Sequence, residues 1–146
     1  MSTSTDTTLR LTRTIKASPA RVFEAWTTAE QMRQWSCPEG LTLADVQIDL
    51  RVGGAFLLDM EDPEGGPHTA FGEYHEIESP HRLVYTWDWK QDEHRMGETL
   101  ITVEFGAKGG HTEVVMTHEK MPTIEFRDSH NEGWTSCLDR LERLFD

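Results

Sequence analysis

The chain is short of positive charge: 14 Lys and Arg stand against 26 Asp and Glu, for a formal net charge of −12. Binding a phosphate backbone needs clustered cations, and no basic stripe is present, so nucleic acid is not an expected partner. No apolar run approaches the ~20 residues that span a bilayer, and membrane insertion is not expected either. The opening MSTSTDTTLR lacks the basic-then-apolar pattern of a secretory signal. Cysteine is nearly missing. Cys37 and Cys137 stand far apart without disulfide or metal spacing, which suits a reduced, cytoplasmic pair. Catalytic motifs are missing too: there is no G-x-S-x-G elbow and no triad block, and RVGG lacks the lysine and spacing of a phosphate loop. The histidines, at positions 68, 75, 81, 94, 111, 118 and 130, form no H-E-x-x-H and no zinc-spaced Cys/His pair. Neither a metal nor another cofactor is expected.

What is present is a chain of alternating segments. Its 146 residues suit one domain, expected over residues 9–146 after a disordered tail at 1–8. TTLRLTRTIK alternates Leu9, Leu11 and Ile15 with polar residues, the mark of a half-buried strand. SPARVFEAW then supplies Ser18 as N-cap and Pro19 at the first helical position, with Val22, Phe23 and Trp26 on one face. TAEQMRQW has Thr28 three residues before Gln31, a capping-box spacing for a second short helix. Six strand-type stretches follow: LADVQIDL, GAFLLDM, TAFGEYHEI, RLVYTWDW, TLITVEF and TEVVMTH. Their short, turn-rich separators favour antiparallel neighbours, because parallel strands need longer crossovers. The acidic pairs Asp45/Asp49 and Glu61/Asp62 fit edges or turns.

The C-terminal stretch reads as an amphipathic helix over about 124–145, carrying Trp134, Cys137, Leu138, Leu141, Leu144 and Phe145 at spacings of three and four. Its start lies near Thr123 or at a Ser129/Glu132 capping box. The expected fold is therefore α+β, with a seven-stranded curved antiparallel sheet, two short helices and one long helix to cover the sheet. Where helix and sheet diverge, a hollow can open. Gly133 beside Trp134 has two readings: a close approach of the helix backbone to the sheet or short helices, or a frayed helix start where glycine costs little.

SPARVFEAWTTAEQMRQW, RVGGAFLLDM, GEYHEIESPHRLVYTWDW and HNEGWTSCLDRLERL, in that succession, resemble the signature blocks of the activator of heat-shock-protein-90 ATPase homologue family. The resemblance covers roughly residues 9 to 145. It implies the START-like, helix-grip (SRPBCC) fold shared with birch-pollen-allergen-type proteins and polyketide cyclases, and a pocket for apolar or aromatic small molecules. The eukaryotic co-chaperone carries an additional N-terminal domain. Only about eight residues precede the first strand here, so stimulation of a chaperone ATPase is not expected.

Strand parity gathers bulky side chains on one face: Leu83, Tyr85, Trp87 and Trp89, then Phe56, Leu58 and Met60, then Ile101, Val103 and Phe105, then Val114, Met116 and His118. The expected cavity set is Trp35, Phe56, Leu58, Met60, Phe71, Tyr85, Trp87, Ile101, Val103, Met116, His118, Trp134 and Leu138. The facing of Glu73 and His75 against Tyr74 and Glu76 stays open, since a bulge exchanges the two pairs. The leading expectation is a binder of a small apolar or aromatic ligand, as monomer or homodimer. A cyclase- or hydrolase-like enzyme using His118 and cavity carboxylates is one alternative. A chaperone-interacting module is the other.

Overall fold

The structure, a computed structural model, describes residues 7–146. Most of the expected tail therefore lies outside the described residues. The alternating segment forms β1 (Leu9–Ile15). Ser18 then caps α1 (Pro19–Thr27), accepting from the Arg21 backbone N–H at 3.4 Å, with Pro19 at its first position as its fixed φ favours. The next helix, α2 (Ala29–Met32), is shorter than its pattern suggested. Its expected capping box does not form. The Thr28 hydroxyl donates back to Glu24 O, and Gln31 Nε2 reaches the Glu24 carboxylate instead of the Thr28 backbone.

Six strands follow: β2 (Thr42–Ile48), β3 (Ala55–Asp62), β4 (Gly66–Glu78), β5 (Arg82–Trp89), β6 (Thr99–Lys108) and β7 (His111–Glu119). They form one seven-stranded sheet in the order β1-β7-β6-β5-β4-β3-β2, with every neighbouring pair antiparallel. The β3–β4 hairpin is tighter than EDPEGGPH suggested. Asp62 pairs with Gly66, and Asp62 Oδ1 accepts from the Glu64 N–H across the turn. The register of β4 settles the open question of facing: Tyr74 pairs with buried Tyr85 and points inward, His75 is exposed, and a bulge lies between Tyr74 and Glu76. Gly72, just before it, is required by space, because a Cβ there would stand 2.0 Å from Thr86 O and 2.7 Å from the Phe56 ring.

The last helix, α3 (Ile124–Leu144), begins at Thr123, whose Oγ1 accepts from the Phe126 N–H at 3.2 Å. Ser129 is interior to it, so the second proposed start is not used. Trp134, Cys137, Leu138 and Leu141 are the stripe it buries. Leu138 and Leu141 are fully buried, and each contributes about 1.5–3 kcal/mol. The C-terminal half is also pinned by charge. Arg13 of β1 donates to Asp139 and Glu142 at 2.6 Å each, and Arg140 donates to the Cys37 carbonyl at 2.7 Å. On the other side of the core, α1 packs on β6: Phe23 meets Phe105 edge-on at 5.3 Å, and Trp26 lies 4.6 Å from Trp35. No helix among the described residues is long and apolar enough to cross a membrane.

Candidate functional site: a cavity beneath the N-terminal half of α3

Because its C-terminal half carries the pins, α3 meets β1 closely at one end and stands off β3, β4 and β5 at the other. A cavity of about 210 Å³ lies there. The sheet supplies Met60, His68, Trp87 and Trp89, and the 3₁₀ turn Asp92–His94 supplies His94. The helix supplies Phe126, Ser129, His130, Gly133, Trp134 and Cys137, and the segment after α2 closes the wall with Ser36, Pro38 and Leu41. No carboxylate, ammonium or guanidinium is among these lining side chains. Trp87 and Trp134 lie 5.1 Å apart, and Trp87 and Trp89 meet at 89° with centroids 5.5 Å apart. Such tilted and edge-on contacts fix aromatic walls in place.

Two histidines are locked beside these rings. Thr99 spends its only hydroxyl proton on the Trp87 carbonyl at 2.5 Å, so toward His118 Nε2, 2.8 Å away, it acts as acceptor. His118 therefore carries its proton on Nε2, and its bare Nδ1 accepts from Trp134 Nε1–H at 3.3 Å. Burial, with His130 nearby as a smaller cause, pushes the His118 pKa down to about 3. His130 has the opposite tautomer: Nδ1–H donates to Phe126 O at 2.8 Å, and Nε2 accepts from Trp89 Nε1–H at 2.9 Å. Burial lowers its pKa as well, against the pull of the Phe126 bond. Both imidazoles are neutral, with no ring nitrogen left for a substrate. The thiol of Cys137 is pushed up by burial and is a poor nucleophile. At the rim, the rings of His68 and His94 lie 4.8 Å apart. Among the described residues, no group of three or more His, Cys, Asp or Glu side chains is placed to hold a metal ion.

The family model described as Activator of Hsp90 ATPase homolog 1-like protein matches residues 16–146. The chain belongs to that family. Solved structures carry the same architecture. A protein from Rhizobium leguminosarum is 31% identical with a TM-score of 0.79, the match covering 94% of this chain and 93% of that one. The AHSA1 protein from Silicibacter pomeroyi is 27% identical with a TM-score of 0.83, over 94% and 96%. A Chromobacterium violaceum protein is 25% identical with a TM-score of 0.87, over 95% and 96%. No curated protein matches the chain.

Of the residues expected from sequence, the structure places Met60, Trp87 and Trp134 on this cavity. Phe56, Leu58 and Tyr85 line a second hollow of only about 10 Å³. It shares Ser36, Trp87 and Trp134 with the main cavity. Trp35, Ile101, Val103, Met116, His118 and Leu138 are fully buried core residues that line neither. On the β6, β7 and β1 side α3 meets β1 and α1 packs on β6 and β7, and these residues are enclosed. Phe71 is a plain correction: it shares parity with Glu73, faces outward, and lies under Lys90, whose Nζ is 5.2 Å from its ring. The expected set missed Trp89, His68, His94, Cys137 and the Ser36–Leu41 segment, and on the helix Phe126, Ser129 and His130, which extend the Trp134 stripe backward at helical spacing. That signal was readable once the helix was taken to start at Thr123.

Proposed function

We infer that this AHSA1-family chain binds a small apolar or aromatic molecule in the cavity between the sheet and the N-terminal half of α3. The wall itself carries the reading: Trp87, Trp89, Trp134, Phe126, Met60 and Leu41 surround about 210 Å³ without one ionic side chain. Apolar cavities of ~150 Å³ take up benzene, so this space suits a one- or two-ring aromatic. Binding is by burial and shape, and three tryptophans against the ligand make emission a direct reporter. The enzyme alternative loses its main support, because both nitrogens of His118 are engaged and no carboxylate lines the cavity. The chaperone alternative rests on the family's description alone.

The test is titration of the full chain with naphthalene derivatives, followed by tryptophan emission and calorimetry. Saturable one-to-one binding that Gly133→Leu abolishes is the expected result. Absence of saturable binding across a library of one- and two-ring aromatics would overturn the reading.

A further inference from the structure

Four of the five tryptophans have a partner for the indole N–H. Trp26 donates to the Tyr85 hydroxyl at 3.1 Å, Trp35 to Ala25 O at 2.9 Å, Trp89 to His130 and Trp134 to His118. Trp87 has none. Its side chain is 3% exposed, and its Nε1 is the one buried side-chain nitrogen or oxygen among the described residues without a hydrogen-bond partner. Native interiors rarely leave a buried donor unpaired, and where one persists it calls for an explanation.

The ring is not free to seek a partner. It is held between Trp134 at 5.1 Å, Trp89 at 5.5 Å and Phe56 at 6.0 Å, and its own carbonyl is tied by Thr99. Trp87 lines both the main cavity and the small hollow behind it. That hollow, about 10 Å³, has room for one water molecule at most and none for a ligand. An indole N–H only donates, so its missing partner must be an acceptor. The cavity wall offers no cation to pair an anionic ligand and no carboxylate to pair a cationic one. The ring nitrogens of His118 and His130 are all engaged. A ligand carbonyl satisfies the donor and brings no proton of its own to place.

We propose that the ligand is a neutral aromatic ketone or similar carbonyl compound, and that its oxygen accepts a hydrogen bond from Trp87 Nε1–H. The proposal rests on the binding reading above and names its specificity residue. Trp87 selects carbonyl compounds over hydrocarbons of the same shape, while Trp89, Trp134 and Phe126 supply the apolar contact.

Two planar isosteres separate the cases: 2-acetylnaphthalene, with a carbonyl, and 2-isopropenylnaphthalene, with a methylene in its place. Affinities are measured by calorimetry for the full wild-type chain and for Trp87→Phe, and the assigned Trp87 indole proton is followed by NMR in the wild type. The ketone-to-alkene affinity ratio should fall about five- to tenfold in Trp87→Phe, the worth of one buried hydrogen bond. In the wild type, the indole proton should move downfield with the ketone and stay in place with the alkene, a readout independent of whether the variant folds. An unmoved indole proton together with equal affinities for both probes would overturn the role of Trp87 and leave the cavity reading standing. Failure of both probes to bind saturably would overturn both.

Discussion

Gly133 sits in the middle of α3, where glycine costs a helix about 0.8–1 kcal/mol relative to alanine. Neither account open from sequence fits its surroundings. It is far from the helix start, and the one atom within 4 Å of a Cβ built there is Pro38 Cγ, at 3.8 Å, an ordinary contact. Gly133→Ala therefore keeps the full propensity gain and adds a van der Waals contact. The expected stabilisation is about 1 kcal/mol, or roughly 2–4 °C in Tm for a chain of this size. Gly133→Leu goes further: its side chain enters the cavity, so stability should stay at or above wild type while ligand affinity falls at least about tenfold, near 1.4 kcal/mol. Denaturant midpoints and Tm give the first quantity, and aromatic-probe titration the second. A Gly133→Ala variant less stable than wild type by 1 kcal/mol would refute the geometry, since glycine would then be serving a close approach that the helix does not make here.

Trp134→Phe keeps the aromatic wall but strips Nδ1 of His118 of its donor, and should cost about 1–3 kcal/mol in the denaturant midpoint. His118 takes a proton near pH 3 when folded against about 6.5 in its ordinary state, so the unfolded chain binds the extra proton between those values. Stability due to this histidine is present above about pH 6.5 and is lost as pH falls toward 3, at up to ~1.4 kcal/mol per pH unit. Unfolding midpoints of His118→Asn should decline less steeply than wild type from pH 6.5 to 4. Arg13→Ala removes both ion pairs to α3, whose carboxylates are about half exposed, and should cost about 1 kcal/mol, shrinking as salt is raised.

The fold was legible in the sequence because its signals are local and repeated. Period-two alternation marked all seven strands, and the helical stripe from Trp134 to Leu141 marked the element that covers them. The cavity was less legible because it depends on how far the helix stands from the sheet, and no local pattern records that distance. Ile101, Val103 and Met116 share a face with Trp87, yet they are fully buried in the packed core and line no cavity. Phe71 was misplaced because parity in β4 turns on whether Tyr74 or His75 faces inward, and the pairing of Tyr74 with buried Tyr85, in unbroken register with Phe71, decides it. His118 was a candidate acid/base only under the enzyme alternative, by its parity. What disqualifies it is a chain of donors running through Thr99, which joins residues distant in sequence.

The pins on α3 split one helix into two stretches with different freedoms. From Leu138 onward, substitutions meet the sheet, Arg13 or the segment held by Arg140, and are judged by whether the chain still folds. From Phe126 to Gly133 the inward positions face open space, and exchanging them reshapes the cavity while leaving the scaffold intact. Recognition in this architecture can thus be rewritten through two turns of helix and the short segment at Ser36–Leu41. A library confined to those positions would search new ligands at little risk to the fold.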